Sequence, residues 1–262
     1  MNQTTSTLSE CEKCGGSGWI LEIVDNEEIA RPCECYKKRL QNNKIRFANI
    51  PATYRNVRLS DFKTDIYKEE KYNNMAKIVK NAVNMYLSEI DKNIQSGFGI
   101  YLYSKTKGSG KTLLATAIAN ELIHKYNMTT KFATSLDILS EIRATWDKNN
   151  NQDQELSTEY KLMNYLKTTE VLVIDDFGVE KHQEWHNDRF YEIVNTRYLN
   201  RLITIYTSNS AINQLAYDKR ITNRIIERSY IMRLPEKSIR EELSDQLQTK
   251  LKEVIQHGTT DD

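Results

Sequence analysis

The stretch Gly99-Ile100-Tyr101-Leu102-Tyr103, then Ser104-Lys105-Thr106-Lys107, then Gly108-Ser109-Gly110-Lys111-Thr112, then Leu113-Leu114-Ala115-Thr116-Ala117-Ile118-Ala119 decides how this chain is read. An apolar run leads into a glycine-bearing turn, and a helical segment through Tyr126 follows. Glycines let the backbone curl so that successive N–H groups face one anion, and the helix adds the positive end of its dipole. Lys111 is placed to reach β- and γ-phosphates and the Thr112 hydroxyl to hold Mg²⁺, with Gly108, Ser109, Gly110 and Leu113 completing the cradle. One position departs from the pattern G-x-x-x-x-G-K-[ST]. Lys105 stands where the first glycine belongs, so the loop entrance is expected to be built differently. Alone, the turn also reads as an ordinary turn before a helix.

A second segment argues against that bland reading. Val171-Leu172-Val173-Ile174 is a continuous apolar run, as a fully buried parallel strand shows, and it ends in Asp175-Asp176. Two carboxylates at the tip of a buried strand are costly unless something there uses them. In a nucleoside-triphosphatase Asp175 orients the Mg²⁺ shell and Asp176 polarises the attacking water. A third run, Leu202-Ile203-Thr204-Ile205-Tyr206, ends in Thr207-Ser208-Asn209, where Asn209 offers a polar side chain to a γ-phosphate; Ser-Asn is also common turn chemistry.

Strands expected at Ile100–Tyr103, Lys131–Thr134, Val171–Ile174, Leu202–Tyr206 and Tyr230–Arg233 alternate with helices at Lys111–Tyr126, Leu136–Trp146, Tyr160–Leu166 and Asn187–Leu199. That alternation demands an α/β fold: a parallel sheet with helices on both faces and ligands at the carboxyl ends of its strands. Upstream, Tyr72, Met75, Val79, Ala82, Val83, Tyr86 and Ile90 recur at helical spacing over Glu69–Asp91, the apolar stripe of one helix packed on the sheet. Residues 147–158 are polar and rich in Asn and Gln, a surface loop. His182 and His186 are four apart, but no carboxylate completes a metal site, so they are read as a turn entering a helix.

All four cysteines fall in two close pairs, Cys11-x-x-Cys14 and Cys33-x-Cys35. They read as two knuckles delivering four thiolates to a tetrahedral structural Zn²⁺, with free thiols as the alternative. Between them Trp19-Ile20-Leu21 and Ile23-Val24 suggest a hairpin strand. The division expected is a loose tail at 1–10, a zinc module and basic helical linker at 11–47, and the main domain at 48–262. The linker charges Lys37, Lys38, Arg39, Lys44 and Arg46 read as a solvated helix face, with nucleic-acid contact as the alternative. Net charge of +1 gives no global basic field, so any nucleic acid must be held by a local patch or an assembled array. The absence of a long apolar run and the polar N-terminus lead to the expectation of a cytoplasmic protein without a membrane span.

With these residues in place the chain resembles the small bacterial and phage AAA+ replication ATPases, the DnaC/DnaI-type helicase loaders, with the transposition helper IstB as a close relative. The resemblance runs from about Ala48 to Arg240. It rests on Asn49-Ile50-Pro51-Ala52-Thr53-Tyr54, the phosphate loop, Val173-Ile174-Asp175-Asp176-Phe177-Gly178, Asn195-Thr196-Arg197-Tyr198, Thr207-Ser208-Asn209 and Arg220-Ile221-Thr222-Asn223-Arg224. It implies an ATPase that uses ATP and Mg²⁺, self-associates through its ATPase domain, and delivers a replicative DnaB-type hexameric helicase to single-stranded DNA. By position, Arg224 matches the arginine finger offered to a neighbouring subunit, Asn209 the first sensor, and Arg240 the residue that senses nucleotide in cis. Read bottom-up, Arg220, Arg224 and Arg228 on one helix face fit a finger or a solvated basic stripe equally. The cysteine pairs resemble the zinc-bearing N-terminal region of some loaders. Asp176 stands where many relatives carry glutamate, which points to slow turnover. Two alternatives remain open: a transposition helper, and a nucleotide-dependent helicase adaptor or inhibitor with little turnover.

Overall fold

A computed structural model describes residues 11–24, 27–146, 158–180 and 183–257. The expected tail at 1–10, residues 147–157 of the expected loop, and His182 lie outside the described residues. The N-terminal segment forms an antiparallel hairpin of β1 (Trp19–Val24) and β2 (Glu27–Pro32), then helix α1 (Glu34–Phe47). The expected basic linker is thus a helix that docks on the main body: Phe132 N–H donates to Ala48 O at 2.6 Å, and Lys44 Nζ donates to Asn127 O.

The stripe expected to form one helix is two. Helix α2 (Glu70–Ser88) ends at Glu89, whose φ of −103° and ψ of 24° leave helical geometry, and α3 (Ile90–Ser96) follows. Val79, Val83, Tyr86 and Ile90 of the stripe are buried and Met75 is half-buried. The break lets Asn93 Nδ2 donate to Tyr86 O at 3.0 Å, and Gly97 closes α3 in the left-handed region at φ 70°.

Five parallel strands follow: β3 (Gly99–Tyr103), β4 (Thr130–Thr134), β5 (Val171–Asp175), β6 (Ile203–Ser208) and β7 (Ser229–Arg233). Their order across the sheet is β4-β5-β6-β3-β7. Between them run α4 (Lys111–Tyr126), α5 (Ser135–Trp146), α6 (Thr158–Thr168), α7 (Glu184–Leu199) and α8 (Lys219–Glu227), and α9 (Ile239–His257) closes the described chain. Alternation along the strands splits the core in two. Ile100, Leu102, Val171, Val173, Ile203 and Ile205 face α2 and α4, whereas Tyr101, Leu172, Ile174 and Tyr206 face α5, α6, α7 and α8. Each fully buried Leu or Ile there contributes about 1.5–3 kcal/mol, enough to make α4 stable without exceptional local propensity.

This strand order places the functional loops. The chain leaves β3 in mid-sheet and returns at the far edge in β4, so a crevice opens at the carboxyl ends. There β5, β6 and β3 lie side by side, paired through Ile174 with Tyr206 and Tyr103 with Ser208. The turn after β3, the carboxylates after β5 and the Thr-Ser-Asn after β6 are therefore neighbours in space.

Candidate nucleotide and metal sites

The phosphate loop curls through Gly108 and Gly110, both left-handed at φ 75° and 88°, which only glycine adopts without strain. Added side chains would also be crowded: a Cβ at Gly110 would lie 3.0 Å from the Phe62 ring and 3.1 Å from Ile239, and one at Gly108 2.9 Å from Ser238 Oγ, so these neighbours would have to give way. Tyr67 OH donates to Ser109 O at 3.0 Å and Ile239 N–H to Gly108 O at 2.9 Å, so the loop is gripped from both flanks. Gly108, Ser109, Gly110, Lys111, Thr112, Leu113, Asp176, Asn209 and Arg240 line one cleft of about 440 Å³. Tyr54, Val179, Ile239 and Leu243 give it apolar walls.

Lys111 starts α4, and its Nζ donates to Ser104 O at 3.1 Å and Thr106 O at 3.0 Å. Burial pushes its pKa down, while the Asp176, Asp175 and Glu236 charges pull it back up. Thr112 Oγ1 lies 3.0 and 3.2 Å from the two carboxylate oxygens of Asp175. Burial raises the Asp175 pKa above the usual carboxylate range, against a 2.5 Å hydrogen bond from Thr207 Oγ1. The same Thr207 oxygen accepts from Asp176 N–H at 2.9 Å. Asp176 itself is left-handed at φ 53°, an uncommon state for a non-glycine residue that aims its side chain into the cleft. Hard oxygen donors converging on one point fit Mg²⁺, which would be held by Thr112 and Asp175 and would screen triphosphate charge when bound.

At the loop entrance Lys105 stands where the motif has its first glycine. Among the described residues the left-handed non-glycines are Asn49, Asn127, Asp176 and Arg201, so Lys105 adopts a backbone open to any residue. Ser104 and Thr106 on either side of it are instead tied to Glu236. Neither Glu236 nor Thr207 was singled out from the sequence. Thr207 lies in the Thr207-Ser208-Asn209 motif, where Asn209 carries the side chain suited to a γ-phosphate, and Glu236 has no local signal, since only the fold brings it to a loop 130 residues earlier. Helix α9, which supplies Arg240, Ile239 and Leu243 to the cleft, is not among the expected elements, although Leu243, Leu247 and Leu251 keep helical spacing.

Arg224 is not in this cleft. It lies at the amino-terminal end of the sheet beside Gly97, Leu202 and Ser229. Its Nε donates to Asn195 Oδ1 at 2.8 Å, and its guanidinium lies 5.1 Å from the Tyr191 ring centroid and 5.7 Å from that of Tyr198.

The four cysteines converge in a second place. Their sulfur atoms all lie within 4.8 Å of one another, with Cys11 and Cys33 at 3.7 Å and Cys14 and Cys35 at 3.3 Å. Four thiolates at Zn–S distances of about 2.3 Å form a tetrahedron with edges near 3.8 Å, so the donor set fits Zn²⁺. Desolvation works against ionisation of Cys14, but the Cys35 thiol and the Gly18 N–H outweigh it and lower its pKa to about 6; the Cys14 neighbour raises Cys35 to about 12.

Fold and cleft define the class: a P-loop nucleotide-binding protein of AAA+ architecture. The chain belongs to the IstB-like ATP binding protein family, which matches it over residues 2–246. The Bacillus subtilis (strain 168) replicative helicase loader DnaI is 35% identical over 125 residues, covering 46% of this chain and 36% of that protein. The Escherichia coli (strain K12) replicative helicase loader DnaC is 28% identical over 143 residues, covering 55% of this chain and 53% of that one. The matches therefore span about a third to a half of those loaders. A crystal structure of DnaI superposes with a TM-score of 0.54 at 25% identity, over 71% of this chain and 95% of that one. Among the described residues no helix is long and apolar enough to cross a membrane.

Proposed function

We propose that this protein is an ATP-dependent helicase loader in DNA replication. It binds a replicative DnaB-type hexameric helicase and single-stranded DNA in the cytoplasm of a bacterial or phage-infected cell, and assembly controls its hydrolysis of ATP. The observation that carries the reading is the 3.0 Å approach of Thr112 Oγ1 to Asp175, which joins the phosphate loop to the acidic strand at one point. In this reading Lys111 neutralises the β- and γ-phosphates, Thr112 and Asp175 hold Mg²⁺, Asp176 accepts a proton from the attacking water, and Asn209 and Arg240 report the γ-phosphate. Arg224 sits too far round the sheet to serve its own cleft, which supports a finger offered to a neighbouring copy. Residues 11–47 form the zinc module, and their β1 face, with Trp19, Leu21 and Ile23 exposed, supports helicase docking there. Residues 48–262 are the ATPase part.

Lys111→Ala should abolish ATP binding measured by calorimetry; retained affinity refutes the nucleotide assignment. Arg224→Ala should keep binding yet lose about 10³-fold or more of the hydrolysis of assembled protein. Unchanged turnover removes the finger. The family match also supports a transposition helper. Capture of a purified replicative helicase by the wild-type chain, with no capture of a transposase, separates the two.

A further inference from the structure

Glu236 sits on the short segment between β7 and α9, with no role in the chemistry above. Its Oε2 atom accepts from Thr106 N–H at 3.1 Å, from Thr106 Oγ1 at 3.3 Å and from Ser104 Oγ at 3.3 Å. Ser104 shares its hydroxyl proton with Pro235 O at 3.0 Å, on the same segment. The other oxygen, Oε1, meets Arg233 Nη2 at 3.3 Å. One carboxylate oxygen therefore gathers the two residues that flank Lys105. Those same two residues present their carbonyls to the Lys111 ammonium. The chain of contacts is continuous: Glu236 holds Ser104 and Thr106, and Ser104 and Thr106 hold Lys111.

Three residues beyond Glu236 the segment becomes α9, whose first turn grips Gly108 through Ile239 and brings Arg240 to the cleft. The loop entrance and its glycine turn are thus both tied to one element, at Glu236 and at Ile239. Two ties on one short segment make the loop follow that segment as a body.

We propose that Glu236 is a positioning residue for the phosphate loop, fixing Ser104 and Thr106 so that Lys111 is presented to the triphosphate, and coupling the loop to α9. This inference rests on the nucleotide reading of the cleft. Electrostatics makes the opposite prediction to the tether. A carboxylate near a triphosphate repels it, so on charge alone removal of Glu236 should tighten nucleotide binding. If the tether dominates, removal should loosen it.

The test measures Mg-ATP affinity by calorimetry and steady-state KM and kcat for wild type, Glu236→Ala and Glu236→Gln, with thermal melts alongside. The tether predicts that Glu236→Ala weakens ATP binding and raises KM by about tenfold. Glu236→Gln keeps an acceptor oxygen for Thr106 and should stay within about threefold of wild type. Tighter binding in both variants, affinity and KM within twofold of wild type in Glu236→Ala, or equal losses in the two variants each overturn the proposal. If Glu236→Ala fails to fold, the double variant Ser104→Ala with Thr106→Val removes two of the three tethers from the loop side and should show the same loss; normal affinity there overturns it. Wild type that binds no ATP, like Lys111→Ala, would instead indict the nucleotide reading itself.

Discussion

At Asp175 burial and charge oppose each other. The side chain is 6% exposed and its pKa is raised above the ordinary value of 3.8, chiefly by desolvation, with the Thr207 hydroxyl only partly compensating. The folded protein then holds more protons than the unfolded chain just above the ordinary carboxylate range, so this residue makes stability fall as pH rises through that window. Asp175→Asn keeps the acceptor for Thr207 and Thr112 and removes the charge. It should raise the urea stability of the nucleotide-free protein at neutral pH by roughly 1 kcal/mol, and flatten the pH dependence in that window, while costing about 10–100-fold in Mg²⁺ affinity. A destabilised variant at neutral pH refutes the account. At this scale the sequence was informative where a group announces itself by its neighbours: Lys111, Thr112 and the acidic pair sit in short contiguous patterns. Thr207 and Glu236 act across the fold, and a single sequence carries no mark of such a partner.

Among the elements, α7 is fastened by Arg197, a member of the Asn195-Thr196-Arg197-Tyr198 motif. Arg197 is 1% exposed, and its guanidinium donates to Thr204 Oγ1 at 2.9 Å, Leu166 O at 2.9 Å, Thr169 O at 2.7 Å and Ile203 O at 2.7 Å. Burial lowers its pKa to about 9, which leaves it cationic at neutral pH. It ties the end of α6, the approach to β5 and the start of β6 to α7 by hydrogen bonds, beside the apolar cluster that these elements share. Arg197→Leu leaves those oxygens without their donor and should lower stability in urea unfolding by roughly 2–4 kcal/mol. Arg197→Lys should recover only part of this, because an ammonium cannot reproduce the planar fork. A loss below about 0.5 kcal/mol for Arg197→Leu, the range of ordinary surface changes, contradicts the fastening role. Helix α4 was legible because glycine turn and helical run are local, and the structure closes it at Asn127, a C-cap in the left-handed region. The α2 and α3 break was not, because the apolar stripe runs on through Glu89 and only the packing of Asn93 beneath Tyr86 turns the chain.

In the molecule as a whole, the strand and helix alternation made the sheet legible and put the phosphate loop and the acidic pair together at its carboxyl end, but not the side-by-side seating of β5, β6 and β3 that brings Thr112 beside Asp175. That followed from β3 lying between β6 and β7, an order set by long-range packing. The N-terminal end follows a different physics. From Cys11 to Cys35 nearly every apolar side chain is half-buried or exposed, with Trp19 at 47%, Leu21 at 67% and Ile23 at 74%, and Cys33 is the one buried apolar residue described there. A hairpin with so little core is marginal in water, whereas structural Zn²⁺ supplies about 10–16 kcal/mol of apparent binding energy to comparable small sites. The sheet domain, with apolar layers on both faces, needs no such support. Purified protein should therefore contain one zinc per chain. Stripping it with a strong chelator, or making Cys14→Ser with Cys33→Ser, should render residues 11–47 susceptible to protease while leaving ATP affinity and the main thermal transition unchanged. Helicase capture should disappear with the metal. Zinc-free protein whose N-terminal segment still resists protease would show that the hairpin stands on its own contacts with α1, and the four thiols would then need another explanation.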